Sequence, residues 1–301
     1  MNNHVKGYVS LLGGIFLFST IEVASKKIGG GVDPALLTFI RFFITGIVLM
    51  VASIPILRKR KSPLNKKDYG IFILNGFFGI AIAISLFHYA INEFENASSA
   101  AVVFCANPIF VVLFAPLINK TKFAMSSFLV VMCGLVGISF FVMEGGSFQE
   151  TSLIATVIML ASAALFGASV CITKKYVSNY GAMVFMGFSS LFASLFLLPA
   201  IFIIGPVECW QSCLPHWIPI MYVVLFGTTA GYFLYYYGLS HTSLVSGSMT
   251  FFLKPVIATI LALIFLPNET INIFTIVGTI FILSAVGIDM CMKIIAQKKR
   301  G

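Results

Sequence analysis

Ten apolar runs of about 20 residues follow one another along the chain, and this recurrence leaves few folds open. They cover roughly 6–28, 34–57, 69–91, 97–118, 124–143, 152–175, 181–204, 217–239, 244–266 and 272–292. Each could cross a hydrocarbon layer roughly 30 Å thick. Backbone in lipid must satisfy its own hydrogen bonds, so the runs are predicted as transmembrane helices. Of the 301 residues, 59% are apolar and 10% charged, too little polar surface for a soluble domain of this size. The connections are short: GGGVDP (29–34), RKRKSPLNKKD (58–68), EGGSFQET (144–151) and GPVECWQSCLPH (205–216). None could hold a folded soluble domain. The first run is too long for a signal-peptide core and no small-residue cleavage pattern follows it, so it reads as a mature helix.

The formal net charge of +9 is explained by position. Lys6, Arg58, Lys59, Arg60, Lys61, Lys66, Lys67, Lys120, Lys122, Lys174, Lys175, Lys293, Lys298, Lys299 and Arg300 all fall on one side of a ten-span arrangement. Asp33, Glu93, Glu95, Glu144, Glu150, Glu208 and Glu269 fall on the other, with Lys26 and Lys27 as its basic residues. The positive-inside rule then predicts both termini in the cytoplasm of a multi-pass protein of the cell membrane. The clusters read as solvated loops near anionic lipid, with the bilayer and not nucleic acid as partner.

The chain repeats itself. LFSTIEVASKK (17–27) aligns with LFGASVCITKK (165–175) at an offset of 148, matching Leu17/Leu165, Phe18/Phe166, Lys26/Lys174 and Lys27/Lys175. HYAINEFENASSAAVVFCANPIFVVLF (88–114) aligns with YYYGLSHTSLVSGSMTFFLKPVIATIL (235–261) at 147, matching Tyr89/Tyr236, Phe104/Phe251 and Pro108/Pro255. The expected domains are a first five-helix repeat over 1–143, an extracytoplasmic linker over 144–151, and a second repeat with a basic tail over 152–301. Because five is odd, the second repeat enters the membrane from the opposite side. An inverted repeat of this kind places a site near the midplane between the halves and lets them expose it alternately, which is the design of a secondary transporter.

A span ending in a lysine pair, followed by Pro34 and Arg41, resembles the start of an EamA-type domain. The stretch YYYGLSHTSLVSGSMTFFLKPVIATILALIFLPNETINIFTIVG (235–278), with its mid-span proline, Glu269 and Gly278, resembles the end of one. The first half departs from the pattern by carrying INKTKF (118–123) where the second has Glu269. Over nearly its full length the chain resembles the drug/metabolite transporter superfamily. The resemblance implies an all-α membrane bundle of ten helices, as two inverted five-helix repeats around a central cavity. The first, third, fourth, sixth, eighth and ninth helices would line it, with the fifth and tenth as supports. It also implies export of small metabolites, amino acids, nucleotide-related compounds or organic cations, and no catalytic role.

FFLKPVIAT (251–259) sets Lys254 beside Pro255 in the middle of an apolar span. A lysine at that depth costs about 2.5–3.5 kcal/mol on insertion scales and must face protein or water. Pro255 cannot bond the carbonyl of Phe251, and its repeat twin Pro108 likewise releases that of Phe104. Lys254 is therefore expected to be a charged anchor, with the carbonyls of Phe251 and Phe104 and the amide of Asn107 around it; a structural tether to neighbouring carbonyls is the other reading. An unpaired lysine here predicts that Lys254→Met folds as well as the parent.

Tyr232, Tyr235 and Tyr236 share one helical face, and their twins are Ser85, His88 and Tyr89. The six are expected to form a cavity wall suited to stacking and cation–π contact, or else an interhelical aromatic seam. Tyr235 and His88 are the gate candidates. Glu22 is expected to pair with Lys26 one turn on, or with Arg41; its other reading is a proton-coupling carboxylate with His88 as relay. Gly227 and Gly231 read as a close-packing step. Cys105, Cys133, Cys171 and Cys291 read as small intramembrane hydrophobes. Cys209 and Cys213, near His216, have too few neighbouring ligands for a metal and read as free thiols, with a strained disulfide as the other reading. No catalytic motif or cofactor-binding pattern occurs in the sequence. The expected substrate is a small zwitterion such as an amino acid, which satisfies cations and carboxylate together. The alternatives are an organic cation or drug and, in another class, a non-transporting sensor or an intramembrane enzyme.

Overall fold

Helix boundaries follow the punctuation of the sequence. In a computed structural model of the chain, the described residues are 3–60, 62–94, 100, 103–121, 150–204 and 206–265, with short pieces within 131–140 and 273–288. Helix α1 is Asn3–Ile28, and α2 is Pro34–Arg58. Between them the glycine run turns with Gly29 at φ +64°. Asp33 then caps α2 by accepting from the amides of Ala35 and Leu36, with Pro34 at the first helical position. Asn65 and Asp68 form a reciprocal capping box that starts α3 (Lys66–Glu93). Helix α4 is Asn107–Asn119. Helices α5 (Glu150–Tyr180) and α6 (Ala182–Ile204) follow, then the short α7 (Pro206–Cys213). Helix α8 runs through Trp217–Tyr222, Val223–Ala230 and Gly231–His241, and α9 is Leu244–Phe265.

Seven of these helices are long and apolar enough to span a membrane, and α4 is a shorter apolar helix. The fifth expected span and the 144–151 linker lie largely outside the described residues, and the tenth span about half outside them. The polarity is that of a lipid-solvated body. Phe43, Ile47, Val51, Leu195, Phe202 and Ile203 are exposed, while Ser19, Thr45, Asn75, Ser162, Thr173 and Ser189 are buried.

The packing displays the repeat. Helix α1 lies along α8 and α9 of the second repeat, α5 lies along α3 and α4 of the first, and α2 packs on α6. The α1–α8 contact is antiparallel: Gly7 meets His241 and Thr242, and a Cβ on Gly227 would stand 2.8 Å from Ile21. Gly227 and Gly231 are thus a close-packing step. Lys174 of α5 donates to the carbonyl of Leu239 near the end of α8, so α5 ends where α1 begins. The twin helices α1 and α5 therefore run in opposite directions, as an inverted repeat requires.

Even the irregularities recur. Both α3 and α8 carry a π-helical segment, Phe77–Ile82 and Val223–Ala230. In α8 the widened turn leaves carbonyls that Thr228 and Thr229 satisfy, donating to Val223 and Val224. The second twin break is at the proline: α4 starts at Asn107, and α9 changes from a 3₁₀ turn to α-helix at Lys254.

Candidate transport cavity

The two-fold relationship brings the proline breaks and the aromatic faces to one place. A cavity of about 20 Å³ lies there, room for about one water. Its walls include the twin pairs Phe18/Phe166 and Phe104/Phe251. Phe18 stacks on Phe251 at 5.8 Å between centroids, and Phe166 meets Phe104 at 5.4 Å. Ile84, Phe87, Tyr232, Arg41 and Lys254 complete the lining with Ile21. Helix α2 thus contributes through Arg41, an addition to the helices expected to line the cavity.

Lys254 is 2% exposed and forms an ion pair with Glu22, itself inaccessible to solvent. Its ammonium also lies 4.7 Å from the Phe104 ring and 5.3 Å from that of Phe87, within cation–π range. This corrects the expected partners. Glu22 pairs across the repeat interface, neither with Lys26 one turn on nor with Arg41. Lys26 donates to the carbonyl of Phe94 instead. The released carbonyls have other donors as well. Asn107 Nδ2 turns back onto the Phe104 carbonyl at 3.2 Å, and Cys105 Sγ reaches that of Phe251 at 3.1 Å. Phe104 and Phe251 therefore offer the cavity their rings, and Asn107 is absent from its lining. Because the lysine is paired, the expectation that Lys254→Met folds as well as the parent is reversed: the change would strand a buried carboxylate.

Arg41, 1% exposed, donates from Nε to Thr228 Oγ1 at 2.9 Å and from Nη1 to His88 Nε2. A guanidinium only donates, so His88 accepts at Nε2 and, as neutral imidazole, carries its proton on Nδ1. Among the described residues Arg41 has no carboxylate ion-pair partner. The cavity wall with its ion pair thus holds two cations, Arg41 and Lys254, against one carboxylate, Glu22.

The expected tyrosine wall divides. Tyr232 faces the cavity, edge-on to Phe18 at 4.8 Å and to Phe42 at 5.5 Å. Tyr235 is fully buried against Phe251 and Phe18, outside the lining. Tyr236 belongs to a second polar layer, with its hydroxyl near Thr173, Asn75 and Ser169. There Ser169 donates to Asn75 Oδ1 at 2.8 Å, and Asn75 Nδ2 donates to Ser189 at 3.2 Å. Ser85 is half-buried, its hydroxyl without a hydrogen-bond partner among the described residues. Tyr89 is 47% exposed on the outside of the bundle and is no part of a cavity wall. Cys105 and Cys171 are buried, Cys133 is partly so, and the Cys209 side chain and Cys291 lie outside the described residues.

Sequence reasoning passed over Phe87, Ile84, Thr228 and the Asn75 layer. Phe18 and Phe166 were findable, since they are one of the matched pairs that define the repeat. Thr228 had no such signal, because a threonine in an apolar run is unremarkable until a guanidinium is placed beside it.

Comparison with known proteins gives the same architecture. The EamA-like transporter family matches residues 5–143 and 153–288. An uncharacterized transporter of Clostridium kluyveri is 30% identical over 286 residues, covering 92% of this chain and 91% of that protein. The protein PecM of Dickeya dadantii is 24% identical, covering 89% of this chain and 86% of its own. A solved crystal structure at 17% identity superimposes with a TM-score of 0.70 over 96% of both chains, which shows the fold. By the match of both repeats, this chain is a multi-pass membrane protein belonging to the EamA-like transporter family.

Proposed function

We propose that the protein exports a small zwitterion with an apolar body, an amino acid first among them, by alternating access across the cell membrane with both termini cytoplasmic. The observation that carries this reading is the charge arrangement of the cavity. Lys254 is neutralised by Glu22, whereas Arg41 has no carboxylate among the described residues. Arg41 is therefore the anchor for a substrate carboxylate, since its planar fork matches that group. Phe87 and Phe104 already take an ammonium on their faces. A substrate amine would share that environment and the Glu22 carboxylate, whose Oε2 has no hydrogen-bond partner among the described residues. Substrate entry requires the walls to part, because the cavity holds only about 20 Å³. Glu22 is the candidate for proton coupling, by exchanging Lys254 for a proton or a substrate amine.

An organic cation is the second reading, favoured by the aromatic cage around Lys254. Membership of a transporter family supports transport over a sensing or catalytic role. A thermal-shift screen of purified protein against the common amino acids and tetraalkylammonium ions separates the two substrate readings, because a ligand of the folded state raises its apparent stability. Stabilisation by an amino acid, followed by its flux in proteoliposomes, supports the zwitterion. Stabilisation by tetraalkylammonium alone would replace it with the cation.

A further inference from the structure

The sequence repeat is clearest at the lysine pairs, Lys26–Lys27 and Lys174–Lys175, and the cavity chemistry uses neither. Their contacts repeat as their sequence does. Lys26 at the end of α1 donates to the carbonyl of Phe94, the residue that ends α3. Its twin Lys174 donates to the carbonyl of Thr242, the residue that ends α8, at 2.6 Å, and to that of Leu239 at 2.9 Å. Phe94 and Thr242 each cap the C-terminus of the third helix of their repeat. Lys27 lies 5.5 Å from the ring of Phe265 of α9. Its twin Lys175 donates to the carbonyl of Ile118 at the end of α4 at 2.9 Å, and Ile118 and Phe265 are 147 apart, the offset of the matched stretches 88–114 and 235–261. Burial follows the same symmetry: Lys26 and Lys174 are half-buried, Lys27 and Lys175 exposed.

Each pair therefore ties three helices that flank the cavity: α1, α3 and α9 at one end of the bundle, and α5, α8 and α4 at the other. Within each pair, the first lysine holds the third helix of its own repeat. The second holds the fourth helix of the other repeat, across the interface that must open. The carbonyl contacts of Lys26, Lys174 and Lys175 suit lysine, because the last turn of a helix presents unpaired carbonyls and the negative end of its dipole, and Lys27 adds a cation–π contact. In this structure the contacts of both pairs are made together.

We propose that Lys26–Lys27 and Lys174–Lys175 are the two gate latches of the transport cycle, one at each end of the cavity, and that opening either end requires release of its own pair. The proposal rests on the alternating-access reading. If only one end opens at a time, the latches are in competition, and weakening one pair moves the whole population.

Hydrogen–deuterium exchange on the full chain in lipid nanodiscs tests this without a substrate. In Lys26→Gln/Lys27→Gln, amides at the ends of α3 and α9 should exchange about ten-fold faster, the scale set by losing a charge-assisted hydrogen bond. Amides at the ends of α4 and α8 should exchange more slowly than in the parent. Lys174→Gln/Lys175→Gln should give the reverse pattern. Acceleration confined to the altered end, or at both ends together, would overturn the latch and leave local capping. The single changes Lys27→Gln and Lys175→Gln, at exposed positions, give the same two opposed patterns at smaller amplitude should a double variant fold poorly. Loss of the opposed patterns with flux intact would remove the latches alone; opposed patterns without flux of any amino acid would remove the substrate reading alone.

Discussion

Lys254 and Glu22 meet as an ion pair between α9 and α1, both shielded from solvent, and so join the two repeats at the cavity wall. Two charges in so dry a place are tolerable only together. Lys254→Met should lower stability in detergent by about 3–5 kcal/mol, because Glu22 is left buried without its counter-charge. Lys254→Met/Glu22→Gln should recover most of that loss. A thermal-melting double-mutant cycle checks this, and additive losses would show that the pair contributes nothing as a pair.

Tyr232 and Tyr235 are three residues apart on α8 and should behave differently. Tyr232→Leu keeps apolar bulk but removes a flat ring from the cavity, so flux should fall more than melting temperature. Tyr235→Leu removes a ring packed on Phe251 and Phe18, so both should fall together, with a stability loss of about 2–4 kcal/mol. Parallel melting and flux measurements on the two variants decide between wall and packing roles.

Gly79, in the π segment of α3, faces α5 so closely that a methyl would fall on the side chain of Ser169. Gly79→Ala should cost about 1–3 kcal/mol by forcing the helices apart. It should also disturb the neighbouring Asn75–Ser169 hydrogen bond. Gly79→Ala/Ser169→Gly makes room again and should recover the part of the melting temperature lost to crowding but not the part lost with the Asn75 hydrogen bond, since Ser169 is its donor; no recovery at all would place the strain elsewhere.

The basic loops predict the sidedness of the chain. Ser147→Cys, on a background lacking native cysteines, should react with an impermeant maleimide from outside intact cells, and Ser62→Cys only after permeabilisation. Labelling of position 147 from the cytoplasmic side alone would contradict the inverted topology.

Much of this architecture is legible in the sequence, because span length and repeat offset are properties of the chain itself. The depth of Lys254 and the twin prolines likewise pointed to the centre of the bundle. The partners did not follow. Glu22 has Lys26 one turn away on its own helix, yet it meets Lys254 because α1 is laid along the other repeat, a fact of packing that α1 does not encode. Tyr89 was grouped with His88 by helical spacing, but adjacent residues point about 100° apart around an α-helix. His88 faces Arg41 and Tyr89 faces outward. The π segments have no signature in hydrophobic periodicity, so the Thr228 hydroxyl beside Arg41 could be found only in three dimensions.

Transport as proposed depends on Arg41 anchoring a substrate carboxylate in the cavity between the repeats. Flux of labelled amino acids into proteoliposomes, compared between the parent and Arg41→Gln at matched protein incorporation, tests it most directly. The parent should show saturable flux of at least one amino acid, and Arg41→Gln a loss of about ten-fold or more, the scale of one charge-assisted hydrogen bond to a buried carboxylate. Parental flux in Arg41→Gln, or no amino acid moving faster than through protein-free vesicles, would contradict it.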